Sequence, residues 1–273
     1  MKRLGYHSLA LLATLALVLG FATQALAQTP NVNGVIFELY RFNDCPAGTA
    51  NSGGTYPTSI YINDPTLLCT GFANAHVWRF SSDGGATAAV FHNNSNFHAC
   101  ADLVIDGIDN NGAEAGLNIP PWWDGSQTDG RMNVRTSDGE IACFGGRMPF
   151  YSFTGTNGIH YVKGTLIHLE MTYLAHHNTQ ADPGTIDYKV VYNSNTYDSG
   201  PLPFDQGTAA EDPPHGLWGI LNDTTVGGFF QVRLDPGNAA ANMTATWSNI
   251  CYDNLQVTPT QSSTWGRLKS LYR

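Results

Sequence analysis

The chain is predicted to be all-β, a two-sheet antiparallel β-sandwich or jelly roll. Three observations carry this expectation. Runs of period-two apolar alternation recur through most of the length, and Gly, Asn and Asp turns separate them. No stretch longer than a couple of turns carries an i, i+3, i+4, i+7 apolar stripe except the last residues. About a dozen short strands must each bury one face, and two stacked sheets satisfy that requirement.

Taken in order, residues 1–27 carry Lys2 and Arg3, an apolar run from Leu9 to Ala22, and Ala25-Leu26-Ala27 as a small-x-small cleavage site. That is the pattern of a secretory signal peptide. The run is shorter than the ~20 residues that cross a bilayer, and no later segment is apolar for long enough. The expected product is therefore an exported, soluble chain starting near Gln28, with no transmembrane segment, located extracellularly, at the cell surface or in the periplasm. Residues 28–257 are assigned to one sandwich domain, a length that buries ample core. Residues 258–273 are a linker and a short basic tail.

Charged residues make up 13% of the chain, against about 25% in an average soluble protein. The net charge is -9 and the pI near 5.3. Nucleic acid and anionic membrane surfaces both require basic patches, so this balance argues against them as partners. It also disfavours a polyanionic glycan.

Cys45, Cys69, Cys100, Cys143 and Cys251 lie far apart and show no zinc-site spacing. Export permits disulfides. Cys45 and Cys69 fall in the irregular N-terminal part and form the first expected pair. Strand parity turns Cys143 inward and Cys100 outward, which leaves Cys100 with Cys251 as a second pair and Cys143 as a buried thiol.

Residues 34–42 read as a strand, 43–55 as a loop and 56–63 as a strand. Residues 75–80 and 86–91 flank Ser81-Ser82-Asp83-Gly84-Gly85 and read as a hairpin. In 97–105, Phe97, Ala99, Ala101, Leu103 and Ile105 share one face. The run DGIDNNG, with Asp106, Asp109 and Asn111, is similar to a calcium loop, but position one of that pattern would be Gly107 and the glutamate spacing fails. A plain turn is expected, and no cofactor.

A strand ends at Ile119, where Pro120 and Pro121 stop it. Trp122 and Trp123 then fall on a stiffened loop beside Asp124. Next, 130–136 and 141–146 fit a two-residue hairpin with Asp138-Gly139 at its tip, pairing Thr136 with Ile141, Val134 with Cys143 and Met132 with Gly145. Its second face carries Asn133, Arg135, Glu140 and Phe144. In 165–173, Ile167, Leu169, Met171 and Tyr173 point inward and His168 and Glu170 outward; in 185–192, Ile186, Tyr188, Val190 and Tyr192 point inward. Residues 217–221, 228–234 and 245–257 complete the strands. Beyond them, Trp265, Leu268, Leu271 and Tyr272 can share one helical face, either as a docking or sorting peptide or as a frayed end.

The paired strands 161–173 and 186–192, followed by Ser199-Gly200, and the closing strand TWSNICYDNLQV resemble a concanavalin A-like or laminin G-like sandwich. The resemblance implies a curved two-sheet fold whose concave face or loop rim often binds glycans, in enzymes and in pure binders alike. The Glu-x-Asp-x-x-Glu strand of that superfamily's retaining glycosidases is absent. Tyr161-Val162-Lys163-Gly164 is similar to the Tyr-Phe-Lys-Ala-Gly phrase of jelly-roll alginate lyases, but it lies mid-chain and has no Gln-Ile-His partner strand.

Two functional readings follow. A lectin-like protein would stack neutral sugars on Trp122 and Trp123, with Asp124, Asn133 and Arg135 supplying hydrogen bonds. A polysaccharide-degrading hydrolase or lyase would draw its acid-base chemistry from Glu114, Glu140, His168 and Glu170. A structural surface protein would do neither.

Overall fold

A computed structural model describes residues 29–45, 48–65, 69–108, 112–120, 130–145, 148–204, 218–234 and 236–255. Two antiparallel sheets face each other. One has seven strands in the order β1 (Gly34–Asn43), β4 (Ala73–Ser81), β14 (Gly227–Arg233), β6 (Ala113–Ile119), β7 (Gly130–Arg135), β8 (Ile141–Phe144) and β9 (Tyr151–Ser152). The other runs β12 (Asn195–Asp198), β11 (Thr185–Tyr192), β10 (Ile167–Leu174), β5 (Phe97–Ile108), β15 (Asn242–Asn254), β3 (Ser59–Asp64) and β2 (Asn51–Thr55), with β13 (Leu202–Pro203) also paired to β11. Among the described residues the only helix is α1 (Phe153–Asn157), capped by the Ser152 hydroxyl, which accepts from the Gly155 amide.

The alternation read from the sequence is what fills the space between the sheets. The inward sets on β5, β10 and β11 are those expected, and they meet Trp78, Phe80, Leu117, Met132, Val134 and Phe230 from the seven-stranded sheet. Burying each such side chain contributes about 1.5–3 kcal/mol. Trp78 and Trp247 meet edge to face across the core, centroids 6.0 Å apart. The Trp247 indole donates to the Gly116 carbonyl at 3.2 Å, so its polar atom is satisfied inside the core.

Four expectations are corrected. In the central hairpin Met132 pairs with Cys143 and Val134 with Ile141, two residues out from the predicted register. A type I′ turn needs two residues at positive φ, and here Gly139 alone adopts it, at 76°. Arg135 instead donates to the Glu140 carbonyl across a longer turn, and Thr136 pairs with Ala113 on the neighbouring strand. A shift of two keeps every side chain on its predicted face.

Residues 75–80 and 86–91 form no hairpin: β4 pairs with β1 and β14, and Phe91 bridges Thr224. The intervening loop is gathered instead by Asp83, whose carboxylate accepts from Ser81, Ala86 and Thr87. Residues 218–221 are not a strand, and Trp218 takes a positive φ of 74°. Finally, β2 lies within the segment expected to be loop.

Cys45 and Cys69 are bonded, with Cα atoms 5.3 Å apart, and Cys100 and Cys251 likewise at 4.9 Å. The second bond sits where β15 bulges between Ser248 and Cys251, which brings Cys251 opposite Cys100. Cys143 is a free thiol at 0% exposure, and burial pushes its pKa well above the usual value. No helix among the described residues is long and apolar enough to cross a membrane. Peptide mapping without reductant should recover these two bonds, and Cys143 should alkylate only after denaturation. A Cys100 to Cys143 bond would contradict the strand phasing.

Candidate functional site

The two outward faces of the sandwich differ. On the seven-stranded sheet, strand parity turns Arg79 on β4, Phe229 and Gln231 on β14, Glu114 and Asn118 on β6, and Arg131, Asn133 and Arg135 on β7 away from the core. Residues on such a face are ordinarily solvated. Here Asn118 and Asn133 are 0% exposed, Phe229 1%, Arg79 2% and Arg131 9%. This face is a sheltered polar floor.

Register sets the layout. Asn118 lies opposite Arg131, Gly116 opposite Asn133 and Glu114 opposite Arg135, so three adjacent rows cross β6 and β7. Rows along a strand are ~6.8 Å apart. A Cβ at Gly116 would run into the Met132 carbonyl oxygen, so this position has to be glycine, and the middle row keeps no side chain on β6. Beside that gap lies Asn133.

Arg79 donates to the Asn118 side-chain oxygen at 2.8 Å, and Arg131 lies over the Phe229 ring at 4.5 Å and donates to Gln231 at 3.2 Å. Asn133 differs: neither its amide oxygen nor its amide nitrogen has a hydrogen-bond partner. A buried polar group left in that state costs about 1–3 kcal/mol. Such a residue is unusual unless something else completes its hydrogen bonding.

Glu114 faces the same floor. Arg131 and Arg135 approach its two oxygens at 3.6 Å and 3.8 Å, within ion-pair range. Burial raises its pKa above the usual carboxylate value, while Arg131, Arg135 and Arg233 pull partly the other way.

The predicted site residues separate into three groups. Glu114, Asn133, Arg135 and Glu140 come together around the floor and its rim. Arg135, however, is clamped: it grips Asp138 through two nitrogens at 2.7 Å and 2.6 Å and Glu140 at 2.7 Å. That grip holds the Asp138 carboxyl down at about 2. Its guanidinium is thus committed to the turn.

His168 and Glu170 lie on the opposite outer face, that of the eight-stranded sheet, with His98, Asp102 and Lys189. Asp102 binds His168 Nδ1 at 2.6 Å, Glu170 meets His168 Nε2 and His98 Nε2 at 3.3 Å each, and Lys189 reaches Glu170 at 3.3 Å. Burial raises the Glu170 pKa, but Lys189, His98 and His168 outweigh it and hold the carboxyl below its usual value. Both nitrogens of His168 are occupied, so this network ties strands together rather than offering a free base.

Trp122, Trp123, Asp124, Asp109 and Asn111 lie outside the described residues. Asp106 is exposed and accepts from the Gly107 amide at 2.7 Å. Among the described residues no group of three metal-ligating side chains is assembled. Tyr161 sits in a turn, not on the floor; its hydroxyl accepts from the Ile105 amide at 2.9 Å, and burial pushes its pKa up to about 12.

Arg79, Arg131 and Gln231 escaped the sequence reading, which places Asn118 beside Glu114. The available signal was the spacing Arg131-x-Asn133-x-Arg135, which puts three polar side chains on one face of one strand.

No protein-family model and no curated protein matches the chain. Solved structures do. Alginate lyase A1-II', a member of polysaccharide lyase family-7, is 12% identical, with 73% of this chain and 81% of that one covered and a TM-score of 0.42. A protein of unknown function, SO2946 from Shewanella oneidensis MR-1, is 7% identical over 91% and 96%, with a TM-score of 0.41. A variant of alginate lyase Aly36B in complex with alginate tetrasaccharide is 10% identical over 83% and 99%, with a TM-score of 0.40. A likeness this distant says nothing about what this chain does.

The floor makes a direct prediction for stability. Asn133→Ala discards two unpaired buried groups and should change the unfolding free energy by less than about 1 kcal/mol, whereas Asn118→Ala leaves a buried arginine short of an acceptor and should cost about 1–3 kcal/mol. Urea denaturation of the two variants provides the comparison. Equal losses would mean that Asn133 is satisfied in the free protein.

Proposed function

We propose that this is an exported polysaccharide-degrading enzyme of concanavalin A-like type, which lays a uronate-bearing chain across the outer face of the seven-stranded sheet and cleaves it by elimination. The observation that carries this is Asn133, buried and unpartnered between Arg131 and Arg135 on β7. An amide in that state is completed by a ligand that brings both a donor and an acceptor, as a sugar does.

The composition favoured a neutral glycan, but the net charge of -9 belongs to the whole chain. Locally β4, β14, β6 and β7 turn Arg79, Arg131, Arg135 and Arg233 outward against Glu114, with Glu140 at the rim and Glu38 on the edge strand paired to Arg41. A carboxylate-bearing sugar suits that balance better than a neutral one. Elimination next to a carboxyl group needs its charge neutralised so that the adjacent carbon gives up a proton, and a buried guanidinium and amide provide this in a low-dielectric site. Hydrolysis by the usual route needs two carboxylates facing each other across the bond. On β4, β14, β6 and β7 the floor offers one, Glu114; Glu38, outward on the edge strand β1, is paired with Arg41 at 3.3 Å.

Alginate lyase is what two of the three similar structures named above are called, and chemistry of that kind is proposed here on the strength of this chain's own floor. Residues 1–27 are proposed as the leader, 28–257 as the sandwich, and 258–273 as a docking or sorting segment.

The test is a panel of polyuronates and neutral polysaccharides, read by the absorbance of unsaturated ends and by binding. Unsaturated products from a polyuronate alone are expected, with kcat/KM at least about tenfold lower in Arg131→Met, as loss of a charge-assisted hydrogen bond implies. Binding without products would restore the lectin reading, and neither binding nor products from any polyuronate would overturn the proposal.

A further inference from the structure

We infer that Glu114 carries the proton in the cleavage step, an assignment that rests on the floor being a uronate-cleaving site. Of the outward-facing side chains on β4, β14, β6, β7 and β8, Glu114 is the only one that exchanges a proton between acidic and neutral pH; arginines and amides do not. Glu140, at the rim, is held by Arg135 at 2.7 Å.

Position and surroundings suit the role. Glu114 stands one row from Asn133, on the strand where Gly116 leaves the middle row open. Its side chain is 14% exposed, and both arginines lie at 3.6 Å and 3.8 Å, beyond hydrogen-bond length. Its lone pairs are therefore oriented by charge without being consumed. Burial, with partial compensation from Arg131, Arg135 and Arg233, moves its pKa upward, toward the range where a carboxylate works as a base.

The step balances without a co-reactant. The Glu114 carboxylate removes the proton on the carbon next to the uronate carboxyl, whose charge Arg131 and the Asn133 amide neutralise. The electron pair of that C–H bond becomes the new C=C bond as the bond from the neighbouring carbon to the glycosidic oxygen breaks. The leaving oxygen then takes the proton from Glu114, which returns to carboxylate.

Because the deprotonated form is the active one, turnover must rise with pH through the Glu114 pKa, giving an acid limb above the ordinary glutamate range. Arg233 offers an independent handle. It is exposed, stacks on Phe72 at 4.6 Å, and helps to hold the Glu114 pKa down. Arg233→Met should shift the acid limb to higher pH while leaving the plateau rate within about twofold, since one exposed charge is removed and no contact on the floor is lost.

Glu114→Gln should lower kcat by about a hundredfold or more, the usual scale for losing a general base, with polyuronate binding kept within about threefold because the removed charge does not face a donor at hydrogen-bond length. More than a tenth of wild-type turnover in Glu114→Gln would overturn the assignment while leaving the uronate-cleaving floor intact. So would an unmoved acid limb in Arg233→Met, and this second readout decides the matter if Glu114→Gln fails to fold. A wild-type protein that cleaves no polyuronate would overturn both.

Discussion

The constraint on which the site depends is that the outer face of the seven-stranded sheet is out of water although its residues are polar. Strand parity forces Arg79, Asn118, Arg131 and Asn133 onto that face once Trp78, Leu117, Met132 and Val134 are committed to the core. Each polar group then has to find a partner in the protein. Arg79 and Asn118 find each other, and Arg131 finds Gln231 and the Phe229 ring. Asn133 finds nothing. Against a typical domain stability of about 5–15 kcal/mol, one or two unsatisfied buried groups are a sizeable cost, and binding a ligand is the direct way to recover it.

The opposite face carries a second polar network in the same molecule. His98, Asp102, His168, Glu170 and Lys189 are partly exposed and close on one another, with every side chain engaged. Asp187, outward on β11 of the same face, keeps one buried oxygen without a partner, and burial with the neighbouring Asp198 pushes its carboxyl up to about 6. The two faces carry similar kinds of residue, and the floor differs in holding a fully buried amide, Asn133, with neither polar atom paired.

Much of the fold was legible because the period-two signal is local: the inward sets on β5, β10 and β11 follow from the alternation alone. Partner choice was not. Residues 75–80 and 86–91 look like a hairpin in sequence, but β4 pairs instead with β1 before it and β14 far downstream, and no local pattern encodes a long-range partner. The hairpin register slipped by two because Asp-Gly suggests a tight turn, whereas Asp138 is drawn into a clamp on Arg135 and the turn lengthens. At the site, Glu114 and Asn133 were legible as outward residues. Their burial was not, because burial of an outer face depends on tertiary surroundings that parity does not report. Neutral-glycan preference was inferred from total charge, which averages over local clusters such as that of Arg79, Arg131 and Glu114.

The most direct measurement of the central claim is a crystal structure with a short oligouronate bound. The account predicts the sugar on the outer face of the seven-stranded sheet, with both amide atoms of Asn133 in hydrogen bonds to it and a carboxylate against Arg131. An oligouronate seated elsewhere, with Asn133 still unpartnered, would contradict it.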